Sequence, residues 1–151
     1  MAVYPLSYGY YPVSASPAFP QGRLAPRPIL KLTLVNGEKN FTCYAIIDSG
    51  ADHCVFPRAF MQPLGLDPLV TPIEMSSGVG TTAVPTHFVN LNFDVQGLFQ
   101  FSAYAGFTTG LDPLGVGLLG QLGFFDRFNV EFRLGEKKCF IEVPDPPAAS
   151  K

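Results

Sequence analysis

The sequence predicts an all-β, barrel-like domain with one or two short helices. Many short runs alternate apolar and polar residues, Gly, Pro and Asn turns recur between them, and only two short segments read as helix. A chain of 151 residues that is 47% hydrophobic and carries 14 Phe suits one domain with one core.

Residues 1–26 are rich in Tyr, Pro, Ser and Ala and have no apolar period, so they read as an extended arm. The ordered domain is expected over 27–143, starting at Arg27-Pro28, with a flexible tail over 144–151. ILKLTLV at 29–35 and FTCYAII at 41–47 flank the turn NGEKN and predict a β-hairpin that ends at Asp48. A short strand over 54–56 leads to Pro57, which suits the first position of a helix with Arg58 to Leu64 as its body and Gly65 as its stop. IEMSSGVGTTAVP at 73–85 reads as a second hairpin with a Ser/Gly tip. THFVNLNFDV and FQFSAYAGF alternate on either side of the QGL turn. VGLLGQLGFFDRF at 116–128 predicts a buried strand broken at Gly120 and then a helix of about two turns, with Phe124 and Phe125 as core or dimer packing. NVEFRL and KCFIEV close the chain as a third hairpin.

Charge narrows the functions available. The net charge is -2, and no run of Lys and Arg can track a phosphate backbone, which argues against a nucleic-acid partner. The N-terminal stretch lacks a basic segment, and Pro and Gly interrupt its apolar residues. It reads as neither secretory signal nor membrane anchor, and a cytoplasmic location is expected. Cys43, Cys54 and Cys139 are an odd number with no C-x-x-C pair and are expected to be buried free thiols. His53 and Cys54 are adjacent and would point to opposite faces of a strand, and His87 is the one other histidine, so no metal site is expected.

The informative stretch is AIIDSGADHCVFP at 45–57. An apolar strand delivers the ionisable Asp48 into a tight Ser-Gly turn. From the residues alone, Asp48 is either a turn residue that caps a strand or a catalytic carboxylate on a rigid platform.

Ile46-Ile47-Asp48-Ser49-Gly50-Ala51, a Gly-bearing hairpin downstream and then Leu118-Leu119-Gly120 together resemble the retropepsin-like aspartic proteases over about residues 27–134. The stretch GLLGQLGFFDRFNVEF is similar to bacterial members of that group. The resemblance implies a closed barrel or sandwich that hydrolyses peptide bonds without a cofactor. One signature Asp per chain implies a two-fold homodimer in which each subunit supplies Asp48. It also implies that Gly50 lets the backbone approach the carboxylate and that Ser49 bonds across the two-fold axis. Leu118, Leu119 and Gly120 would support the turn. Ala51 and Asp52 would line the groove for an extended peptide, and Ser77, Gly78, Val79 and Gly80 would form a flap over it. Arg27 would pair with Asp52 of the partner subunit.

Two other readings stay open. One is a dimeric peptide-binding or interaction module that keeps the fold and cleaves poorly. The other is a monomeric barrel in which D-S-G is incidental.

Overall fold

The computed structural model describes residues 1–78, 80 and 82–145. Twelve strands are described: β1 (Ala2–Ser7), β2 (Gly9–Val13), β3 (Arg23–Arg27), β4 (Ile29–Asn36), β5 (Lys39–Ile47), β6 (Cys54–Pro57), β7 (Ile73–Ser76), β8 (Val84–Val95), β9 (Phe99–Thr108), β10 (Gly117–Leu119), β11 (Asn129–Arg133) and β12 (Lys138–Val143). The predicted hairpins form where alternation placed them. β4 pairs with β5 from Ile29↔Ile46 to Asn36↔Lys39, and Gly37 takes the left-handed φ of +61° that so tight a turn needs. β8 and β9 pair from Thr86↔Thr108 to Val95↔Phe99.

Six strands in the order β4-β5-β10-β6-β9-β8 close into a barrel, because Thr33, Leu34 and Val35 of β4 also pair with Asp94, Phe93 and Asn92 of β8. Closure removes the open edges that a flat sheet would present. β7 extends the sheet beyond β8 as the outer strand of the 73–87 hairpin.

Alternation directs one side of each strand inward. Leu30, Leu32 and Leu34 from β4 meet Phe93, Phe107, Phe56 and Leu119 in a core where all are 2% exposed or less. Burying each such side chain stabilises the fold by about 1.5–3 kcal/mol. Phe93 and Phe101 stack at 4.8 Å, and Phe124 and Phe128 extend the cluster through ring contacts with Phe101 and with each other. Phe124 is fully buried, and Phe125 packs partly buried against the core. Cys43, Cys54 and Cys139 are free, buried thiols, as expected.

The first 26 residues depart from expectation, since they hold strands rather than an arm outside the ordered domain. β1 pairs along its whole length with β12, from Ala2↔Val143 to Ser7↔Lys138, and β2 pairs with β3. Leu6 is buried in the main core and Tyr4 stacks on Phe99 at 5.2 Å. The prolines mask these strands, yet Pro5, Pro12 and Pro26 all lie on strands paired on one side, where a missing N–H costs no ladder bond. Of the expected tail, Pro144 and Asp145 are described; both are exposed, and Asp145 meets the Met1 ammonium. Residues 146–151 lie outside the described set.

Both expected helices are also corrected. Arg58–Met61 forms one 3-10 turn, and the chain then turns until Gly65 at φ +67°. Pro63 has no N–H to offer the carbonyl of Ala59, so an α-helix cannot propagate. After Gly120, Phe125 and Asp126 donate five residues back, to the carbonyls of Gly120 and Gln121. Gly123 has φ +103° and donates to Asp126 Oδ1, so this segment is a series of turns. No helix among the described residues is long and apolar enough to cross a membrane.

Candidate active site

β5 places Cys43, Ala45 and Ile47 inward and ends in the half-buried Asp48. The chain does not return beside β5, because β10 lies between β5 and β6. β10 runs parallel to β5, pairing Leu118↔Ile46 and Leu119↔Ile47, and antiparallel to β6 at Leu118↔Val55. The 48–53 turn therefore wraps the end of β10, and the two conserve each other's geometry through backbone bonds.

Those bonds continue past the strand. The Asp48 N–H donates to the Leu119 carbonyl at 2.9 Å, the Gln121 N–H to the Ala51 carbonyl at 2.8 Å, and the Leu122 N–H to the Asp52 carbonyl at 2.9 Å. His53 and Leu122 form a further parallel bridge. Gly120 sits where these segments touch. A Cβ there would stand 2.3 Å from the His53 carbonyl oxygen and 2.5 Å from that of Ala51, so a side chain would push the turn away.

Within the turn, the Gly50 N–H donates to Asp48 Oδ1 at 2.9 Å and the Ala51 N–H to the Asp48 carbonyl at 3.2 Å. A Cβ on Gly50 would come within 3.2 Å of the same carboxylate oxygen. One oxygen of Asp48 is thus anchored, and Oδ2 has no hydrogen-bond partner among the described residues. The Gln121 side-chain amide donates to the Ser49 carbonyl.

The sequence-derived residues sort into groups. Asp48, Ser49, Gly50, Ala51 and Asp52 come together with Leu118, Leu119 and Gly120 in this one backbone knot. Ser77, Gly78 and Gly80 are exposed at the tip between β7 and β8, with Gly80 at φ +74°, while Val79 lies outside the described residues. Arg27 ends β3 and donates to the Pro26 carbonyl; among the described residues neither it nor Asp52 joins an ion pair within the chain. Residue reasoning missed Gln121. It also missed an aromatic flank, in which His53 meets Phe88 edge-on at 5.2 Å and Phe88 stacks on Tyr104 at 5.3 Å.

Two clefts of about 740 Å³ and 530 Å³ are lined by other residues, Lys31 and Tyr44 in the first and Arg58 and Asp112 in the second. Asp48, half-buried, lines neither of them. No group of three or more His, Cys, Asp or Glu among the described residues could hold a metal ion. Burial pushes the Cys54 thiol up to about 11, so it is not a thiolate nucleophile at neutral pH.

Among solved structures, a retropepsin-like aspartic protease from Rickettsia conorii matches with a TM-score of 0.54 and 14% identity, over 93% of this chain and 95% of that one. The fold is retropepsin-like. No family model matches the sequence, and no curated protein is significantly similar to it. At this identity the likeness concerns the retropepsin-like barrel and its connections.

Proposed function

We propose that the chain is one half of a homodimeric aspartic endopeptidase whose catalytic pair is Asp48 from each subunit. The observation that carries this reading is the Asp48 carboxylate itself, held by its own turn through Oδ1, left without a partner at Oδ2, and fixed to β10 through its backbone. A strand cap needs the first feature alone. A catalytic carboxylate needs all of them, because its pose must be set before substrate arrives.

Peptide hydrolysis by this route uses two carboxyl groups about 3 Å apart, which cannot both ionise and so share one proton. The ionised one takes a proton from a water as its oxygen bonds to the scissile carbonyl carbon, and the protonated one gives its proton to the carbonyl oxygen. The resulting diol collapses as a carboxyl proton reaches the amide nitrogen and the C–N bond breaks. One Asp48 per chain cannot hold both roles, hence the dimer.

The surrounding residues fit named tasks. The Ser49 side chain is exposed and its hydroxyl has no hydrogen-bond partner among the described residues, which leaves it available to the second subunit. Ala51 and Asp52 border the substrate groove, and the 73–87 hairpin, with Ser77, Gly78 and Gly80 between its strands, serves as the flap over an extended peptide. Arg27 pairs with Asp52 of the partner subunit.

The test is cleavage of a mixed peptide library from acid to neutral pH by the purified protein and its Asp48→Asn variant. Cleavage by the first alone supports the proposal. Equal cleavage by both would refute Asp48 as the catalytic group, and none by either, from folded dimer, would favour a peptide-binding module.

A further inference from the structure

Gln121 is the first residue beyond Gly120 and is exposed, so packing gives it no evident task. Yet it makes two bonds to the Asp48 turn. Its backbone N–H donates to the Ala51 carbonyl at 2.8 Å, and its side-chain amide reaches the Ser49 carbonyl, 72 positions earlier in the chain. Its own carbonyl is taken by the Asp126 N–H at 3.0 Å, which fixes Gln121 to the turn that follows. The carbonyls of Ser49 and Ala51 flank Gly50, whose N–H holds Asp48 Oδ1.

We infer that Gln121 is a positioning residue that holds the Ser49–Gly50–Ala51 backbone and through it sets the direction of the Asp48 carboxylate. The peptide between Ser49 and Gly50 carries both partners: its carbonyl receives the Gln121 amide, and its N–H binds Asp48 Oδ1. Rotation of that single planar unit would turn the carboxylate's anchor away, and the Gln121 side chain opposes the rotation. A side chain of the same length without a donor cannot do this. The consequence for turnover rests on the protease reading, whereas the consequence for the turn does not.

Two variants separate these effects, and because position 121 is exposed neither disturbs the core. In Gln121→Leu, amide hydrogen exchange at Gly50 should accelerate about tenfold, the weight of one hydrogen bond. Unchanged exchange there would overturn the inference. In Gln121→Glu the ionised side chain cannot donate, but its protonated form can. Its kcat relative to the parent protein should therefore be reduced at least about tenfold near neutrality and recover as pH falls through about 4.3, with KM little changed. A pH-independent ratio, or an effect confined to KM, would also overturn it. If the parent protein cleaves nothing, the protease reading fails alone, and exchange at Gly50 still decides the role of Gln121.

Discussion

The Asp48 N–H donates to the Leu119 carbonyl at 2.9 Å, tying the candidate catalytic residue to the end of a strand far along the chain. The bond exists because β10 enters the sheet between β5 and β6, the two strands the Asp48 turn connects. A turn that spans an occupied gap cannot collapse, and its outer carboxylate stays presented.

Gly120 is the contact point of that arrangement. Gly120→Ala would set a methyl against the His53 and Ala51 carbonyls, both backbone atoms, at 2.3 and 2.5 Å. Overpacking of this kind costs about 1–3 kcal/mol or more. Urea denaturation should show the loss, and peptide cleavage should fall more than stability does. An unchanged midpoint would mean that the turn is not clamped at this glycine.

The N-terminal strand is expected to be structural. Deleting residues 1–8 removes β1, the Leu6 side chain from the core and the Tyr4–Phe99 stack. Loss of Leu6 burial alone should cost about 1.5–3 kcal/mol. If the denaturation midpoint of the shortened chain matches that of the parent, these residues are an idle arm after all.

Acid should weaken the root of the 73–87 hairpin. His87 is 5% exposed, pairs with Ile73 across β7 and β8, and shares a 2.9 Å hydrogen bond through Nδ1 with the Thr71 hydroxyl. Burial, then the Arg58 charge, hold the imidazole below the ordinary histidine range, and a hydrogen bond with Pro68 opposes them. Well above pH ~6.5 neither the folded nor the unfolded chain protonates it appreciably and the full stability remains. As pH falls further, the unfolded chain binds the proton first, so stability is lost until pH has passed through the depressed folded value. His87→Gln should flatten this loss between pH 7 and 5 in denaturation midpoints, and an identical slope would exclude His87 as its source.

The thiols should be inert in the native protein. Burial pushes Cys43 up to about 12 and Cys54 and Cys139 up to about 11, and all are closed to solvent. A water-soluble thiol reagent at pH 7.5 should modify none of them before unfolding and all 3 Cys after. Rapid native labelling of Cys54 would show that the Asp48 turn opens readily, since Cys54 begins the strand that leaves it.

What could be read in advance was whatever local pattern dictates. The alternation of ILKLTLV and FTCYAII with Gly37 between them determines a hairpin almost unaided, and so Asp48 could be placed at a strand end. The strands of residues 2–13 were hidden because edge strands tolerate proline, so their composition imitates an arm. The run LGFFDRF resembles a helical turn in spacing, but the Gly123 conformation and its bond to Asp126 interrupt it. Gln121 gave no signal because its partner carbonyls belong to a segment that only the tertiary fold brings near.

The proposed pairing of Asp48 across a dimer is tested most directly by mixing the parent protein with its Asp48→Asn variant under conditions that allow subunits to exchange, and measuring peptide cleavage against the parent fraction. If each site needs Asp48 from both subunits, only parent homodimers cut, and at equal proportions activity falls to about one quarter of that of the same total amount of parent protein. A linear decline to about one half, as independent sites would give, would contradict a catalytic pair built across the dimer.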